Sequence, residues 1–112
     1  MAQKSVILFL DTQDSEKTSV ELDVNGHKTS RTVQSGKARS QAILPLIEDI
    51  LKNQKLKFSD IAQIYLATGP GSFTGLRVGA AVAQVLGVLL GVPVNDLPPG
   101  SSIKLVYGSN KY

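Results

Sequence analysis

The sequence predicts an α/β domain: a mixed sheet of five strands in the order 3-2-1-4-5, with two helices on one face. Three observations predict it. A continuous apolar run, Val6–Leu10, opens the chain; alternating strand patterns then meet at Asn25-Gly26; and two stretches of helical period follow, each leading back to a short apolar run. With 112 residues there is room for one domain. A hydrophobic share of 42% against 19% charged residues is globular composition and excludes a disordered segment.

Val6–Leu10, ending in Asp11-Thr12, reads as a strand buried on both faces. Residues 18–24 alternate, with Val20, Leu22 and Val24 inward, and Asn25-Gly26 is the strongest short signal for a tight hairpin. The return strand, His27 to Val33, is polar enough to lie at a sheet edge. From Ala38 to about Gln54 the period changes: Ile43, Leu46, Ile47, Ile50 and Leu51 make one apolar helical stripe, which Pro45 either kinks or starts. Ile61–Ala67 reads as a second strand apolar on both faces. A glycine loop with Gly69, Gly71 and Gly75 follows, and Ser72 or Thr74 can cap the long apolar helix that runs to about Leu90. Gly91 ends that helix, Val92-Pro93-Val94 is the fifth strand, and Ile103–Tyr107 offers one more short strand. Two crossovers running the same way place both helices on one face. The other face then needs a cover: the tail, a second copy or a partner. A bare apolar face invites association, so the chain alone is expected to be a homodimer.

Several chemistries are excluded. There is no cysteine and one histidine, His27, so neither a thiolate zinc site nor a histidine-activated serine has its parts. No catalytic residue and no metal ligand is expected. The opening apolar run is too short for a signal peptide and is followed by acids. Residues 75–94 approach membrane-spanning length, but Arg77, Gln84 and Pro93 favour a buried helix, so no membrane is expected. A net charge of +3 permits nucleic-acid contact without arguing for it. The loop at Gly69–Gly75 lacks the Lys-Ser/Thr of a Walker A loop, and a capped strand-to-helix turn is its commoner reading.

Three strings carry a resemblance: GPGSFTGLR at residues 69–77, VILFLDT at 6–12, and Arg39-Ser40 leading to Ile43-Leu44-Pro45-Leu46-Ile47. From about Ser5 to Val94 the sequence resembles the TsaB (YeaZ) family. The resemblance implies an actin-like, Hsp70-like ATPase fold made of ribonuclease-H-type lobes, of which residues 1–95 match the first. Residues 96–112 would be a Pro/Gly/Ser-rich tail, with the second lobe absent. It implies a cytoplasmic, non-catalytic subunit that pairs with the paralogue TsaD and the ATPase TsaE. Together these attach threonylcarbamoyl to the adenosine beside the anticodon of tRNA. ATP and metal would then belong to the partner enzyme, with none on this chain, and any tRNA contact would be indirect. Two departures stand out: Arg39 replaces the family's usual histidine, and TsaD's paired metal-binding histidines have no counterpart.

Two sets of residues follow. Ile43, Leu46, Ile47 and Ile50 of the first helix, with Gly75, Gly79, Val82, Ala83, Leu86 and Gly87 of the second, are expected to face the partner, since small residues recur every fourth position. Asp11, Thr12, Gly69 and Gly71 stand where the actin-like fold holds nucleotide, and form a vestigial nucleotide-binding set beside the commoner reading of Asp11 as a turn carboxylate. The rival functions are a small nucleotide-binding or ATP-hydrolysing module, and a homodimeric interaction domain with no tRNA role.

Overall fold

The computed structural model describes residues 5–108. Its elements are β1 (Val6–Asp11), β2 (Lys17–Val24), β3 (His27–Gln34), α1 (Arg39–Asn53), β4 (Gln63–Leu66) and α2 (Phe73–Leu90). Single 3-10 turns at Gly36–Ala38 and Phe58–Asp60 precede α1 and β4.

The sheet has four strands in the order β3-β2-β1-β4. β1 and β2 pair antiparallel, as do β2 and β3, and β4 joins β1 in parallel with Leu8 opposite Ile64. The hairpin forms at Asn25-Gly26, where φ is 54° and 90°, the doubly positive geometry that suits the strands' twist. The Asp23 carboxylate accepts from the Gly26 N–H at 2.7 Å and fixes the turn.

Burial alternates along β1: Val6, Leu8 and Leu10 are buried, while Ile7, Phe9 and Asp11 are partly exposed. With Val20, Leu22, Ile64 and Leu66 the buried set forms a floor on which α1 lays Ile43, Ile47 and Ile50 and α2 lays Ala83 and Leu86. Each large apolar side chain so enclosed contributes about 1.5–3 kcal/mol. Both helices therefore share one face. The expectation that β1 and the 61–67 strand are enclosed on both sides is corrected: Ile7, Phe9 and Tyr65 lie on a second face that no described segment covers.

The expected fifth strand is also corrected, since Val92-Pro93-Val94 makes a single parallel bridge, Val94 to Ile64. Ile64 donates to the Pro93 carbonyl and accepts from the Asn95 N–H, so the segment does lie beside β4. It goes no further because Asn95 and Asp96 take φ of 52° and 65° and turn the chain away. The Asn95 carboxamide then replaces the missing peptide: it accepts from the Leu66 N–H at 2.7 Å and donates to the Leu66 carbonyl at 3.2 Å.

The last expected strand, Ile103–Tyr107, is likewise one bridge, Tyr107 to Gly71. This tail straps α2 instead. Gln84 donates to the Ser101 carbonyl at 3.0 Å, and the Val106 N–H reaches the Thr68 carbonyl at 2.8 Å. Residues 109–112 of the expected tail lie outside the described residues.

Candidate functional site

The two helices carry the candidate site. α1 is held against β3 by Arg31, whose guanidinium meets Asp49 at 3.0 Å, and by Gln54, which donates to Thr29 at 3.2 Å. Pro45 stands inside α1, at an exposed position. The Ser72 hydroxyl caps α2 by accepting from the Gly75 N–H at 3.2 Å, and Gly91 closes it in the left-handed conformation, φ 68°.

Nine of the ten residues expected to face a partner are buried in the chain's own core. Only Val82 is partly exposed. Ile43, Leu46, Ile47 and Ile50 face the sheet, which the amphipathic stripe required. The small-residue stripe is a packing stripe as well. A Cβ on Gly79 would stand 2.3 Å from Thr12 Oγ1, and one on Gly87 would stand 2.7 Å from Val94 Cγ2. Gly75 and Ala83 are buried in the same row. Gly79 and Gly87 thus let α2 settle onto Thr12, Leu66 and Val94 of its own chain.

The opposite side of α2 is where apolar surface remains. Val85, Val88 and Leu89 are 57%, 58% and 74% exposed, and Leu44 of α1 is 47% exposed. Leu44, Ala81, Val82, Val85, Leu86 and Leu89 line a shallow groove of about 310 Å³ between the helices. The sequence of α2 is apolar around its whole circumference, more than one sheet face can bury, and that is the signal for its share of this surface. Leu44 was missed because it falls off the core stripe of α1, and that is the very signal that could have found it.

Asp11, Thr12, Gly69 and Gly71 do come together at one end of the sheet, but they are occupied by their own chain. Thr12 is fully buried and donates to the Gly75 carbonyl at 2.6 Å. Gly69 takes φ of 107°, with the Val106 carbonyl where its Cβ would be. A Cβ on Gly71 would meet Gln13 Cβ at 2.6 Å. Gly69 and Gly71 serve close approach within the chain. Asp11 accepts from the Gln13 N–H at 3.1 Å, a turn-forming contact, and alone of the four lines the open sheet face.

On that face Phe9 and Tyr65 stack with ring centroids 5.5 Å apart. The Tyr65 hydroxyl donates to Asp96 at 2.5 Å, and this bond, with smaller contributions from burial and the carboxylate charge, raises the phenol's pKa above its ordinary value. Among the described residues no three of His, Asp or Glu cluster in a way that could hold a metal ion. His27 is exposed beside the hairpin.

Residues 32–98 match the family model described as TsaD, tRNA N6-adenosine threonylcarbamoyltransferase. The tRNA threonylcarbamoyladenosine biosynthesis protein TsaB of Haemophilus influenzae is 39% identical over 92 residues, 82% of this chain and 39% of that protein. TsaB of Escherichia coli is 35% identical over 88 residues, 79% of this chain and 38% of the relative. Among solved structures, YeaZ from Pseudomonas aeruginosa superposes with a TM-score of 0.76 at 31% identity, covering 89% of this chain and 44% of that one. The chain thus spans about two fifths of the length of these relatives. By the family model across more than half its residues, and by relatives and fold that agree, the chain belongs to the TsaB (YeaZ) family.

Proposed function

We propose that the chain is a non-catalytic subunit that supports a TsaD-like enzyme in forming threonylcarbamoyladenosine on tRNA. The names of its relatives supply the pathway. The observation that carries the role is the apolar outer surface of α1 and α2, centred on Leu44, Val85 and Leu89, in a chain whose inner helical faces are already used. A contiguous exposed patch of this kind marks a protein contact. Residues 5–95 act as the lobe that presents it, and residues 96–108 act as the strap behind it. The same patch serves a second copy when the enzyme is lacking. ATP, metal and catalysis lie on the partner, a TsaE-like ATPase completes the set, tRNA is met through the partner, and the assembly works in the cytoplasm.

The test is co-purification with the TsaD of the same organism, followed by a tRNA modification assay with and without this chain. Capture that is lost in Leu89→Asp, with modification falling in parallel, supports the reading. Full capture by that variant, or modification indifferent to the chain, overturns it.

A further inference from the structure

The hairpin turn between β2 and β3 carries a reactive pair. Asn25-Gly26 is the one Asn-Gly in the sequence. Glycine has no Cβ, so its nitrogen is the least hindered nucleophile toward the carboxamide carbon of the preceding asparagine. Attack closes a five-membered succinimide: the Gly26 N–Asn25 Cγ bond forms, the Cγ–Nδ2 bond breaks, and the amide proton leaves with the nitrogen as ammonia. Water then opens the ring at one carbonyl or the other. The products are aspartate, or isoaspartate, in which the main chain runs through the former side chain. No oxidation state changes.

Three features of the fold keep the two reacting groups apart. The φ values of 54° and 90° at Asn25 and Gly26 make a type I′ turn, in which ψ of the first central residue is about +30°. That ψ sets the Gly26 nitrogen on the far side of the Cα–C bond from Asn25 Cβ, whereas ring closure needs the two nearly eclipsed. The Gly26 N–H is donated to Asp23 Oδ1 at 2.7 Å. Asn25 Oδ1 accepts from the Ser5 N–H at 2.7 Å, while the Asn25 N–H donates to the Ser5 carbonyl at 3.0 Å. The carboxamide thus stands in for a backbone carbonyl and lengthens the β1–β2 ladder beyond the Val6–Val24 pair. Nucleophile and electrophile are both held by the fold, and a near-attack geometry requires the turn to open.

We propose that Asn25 is a deamidation site latched by the folded hairpin, with the Asp23 carboxylate and the Ser5 N–H as the latch. Reaction proceeds from the opened turn, at a rate set by how often the hairpin opens. The change is one-way and reaches beyond the turn. Isoaspartate lengthens the main chain inside a two-residue loop, so the Val24–His27 and Asp23–Lys28 pairs lose their register. β3 is also the strand to which α1 is tied by Arg31–Asp49 and Gln54–Thr29. The lesion therefore passes from the turn to β3 and to the helix that carries Leu44. Asp23 acting as a base on the Gly26 nitrogen would be the opposite role, and the two roles predict opposite signs when the carboxylate is removed.

The test incubates the full chain in mildly alkaline buffer, folded and in urea, and follows Asn25 by peptide mass mapping, with fragmentation to score isoaspartate. The folded chain is expected to convert at least about tenfold more slowly than the chain in urea. Loss of a hydrogen bond to a charged acceptor raises the opened population about tenfold, so Asp23→Ala is expected to convert about tenfold faster while its circular dichroism stays that of the folded chain. Asp23→Asn keeps an acceptor for the Gly26 N–H and is expected to stay within about threefold of the unaltered chain. Ser5→Pro deletes only the N–H that holds Asn25 Oδ1 and is expected to speed conversion severalfold; it carries the test if Asp23→Ala unfolds. Hydrogen exchange of the isolated isoaspartyl form is expected to show β3 released and β1 and β4 protected. Equal rates in the folded chain and in urea, slower conversion in Asp23→Ala, or unchanged rates in both Asp23→Ala and Ser5→Pro would each overturn the inference. So would an isoaspartyl form whose β3 is as protected as before.

Discussion

Gly79→Ala should destabilise the fold although alanine is the better helix former. A Cβ at this position would stand 2.3 Å from Thr12 Oγ1, 2.8 Å from Leu66 Cδ1 and 3.5 Å from Thr12 Cβ. The leucine tip can swing aside. Thr12 cannot do so freely, being fully buried, β-branched and tied through its hydroxyl to the Gly75 carbonyl at 2.6 Å. Forcing one methyl into this contact costs about 1–3 kcal/mol. Turning the hydroxyl off its acceptor adds about 1–3 kcal/mol for a buried group left unsatisfied. Alanine returns about 1 kcal/mol of helix propensity. The net loss is about 1–5 kcal/mol, and with a slope of about 2 kcal/mol per molar urea the unfolding midpoint should fall by about 0.5–2.5 M. The mechanism is checked by a double-mutant cycle. In a Thr12→Ala background the obstructing oxygen is gone, and Gly79→Ala should then cost under about 1 kcal/mol. A neutral or stabilising Gly79→Ala, or costs that simply add, would refute close packing of α2 on β1 as the reason for glycine here.

Four further outcomes follow from the same geometry. Leu89→Asp and Val85→Asp, at exposed positions, should change stability by under about 0.5 kcal/mol while abolishing self-association in light scattering. Gly69→Ala forces a side chain onto φ of 107° against the Val106 carbonyl, a strain of about 1–3 kcal/mol; hydrogen exchange should show residues 101–108 released while β1–β4 stay protected. Arg31→Ala should cost only about 0.2–1 kcal/mol, less in high salt, because both partners of the Arg31–Asp49 pair are partly exposed. The Tyr65 phenol, raised by its bond to Asp96, holds that bond below its ordinary pKa of about 10 and loses it as pH rises through the shifted value. Tyrosinate absorbance should therefore show one late-titrating residue that Asp96→Asn returns toward the ordinary range.

The strands, the hairpin and both helices were legible because each rests on a local signal: period, an Asn-Gly turn, or a capping serine followed nineteen residues later by glycine. The fifth strand was legible in place but not in kind. Nothing in Val92-Pro93-Val94 announces that Asn95 will spend its carboxamide on Leu66 and end the pairing after one bridge. The apolar runs of β1 and β4 show that a second face is apolar but carry no information about what lies on it. Most of the expected partner residues turn inward for a similar reason, while Val82 and Leu86 line the groove between the helices. A stripe of small residues states that something comes close, and only tertiary contacts show that the neighbours are Thr12, Leu66 and Val94 of the same chain.

The apolar circumference of α2 is resolved by asking what each side can touch. The side bearing Gly75, Gly79, Ala83 and Gly87 is buried, with contacts at Gly79 and Gly87 closer than a Cβ would allow, so it cannot turn outward without opening the core. Once that side is fixed, helical geometry places Val85 and Leu89 on the outside, whatever their hydrophobicity. Length and composition alone would let the helix cross a membrane, but a helix held by Thr12, Val94, Gln84 and the Ser101 strap is bound to its own sheet. Its outer apolar residues are then surplus to folding. The glycines that seemed to mark the contact surface instead anchor the helix in the rotation that presents it, so Gly79→Ala and Leu89→Asp should separate cleanly: the first weakens the fold, the second weakens the pairing.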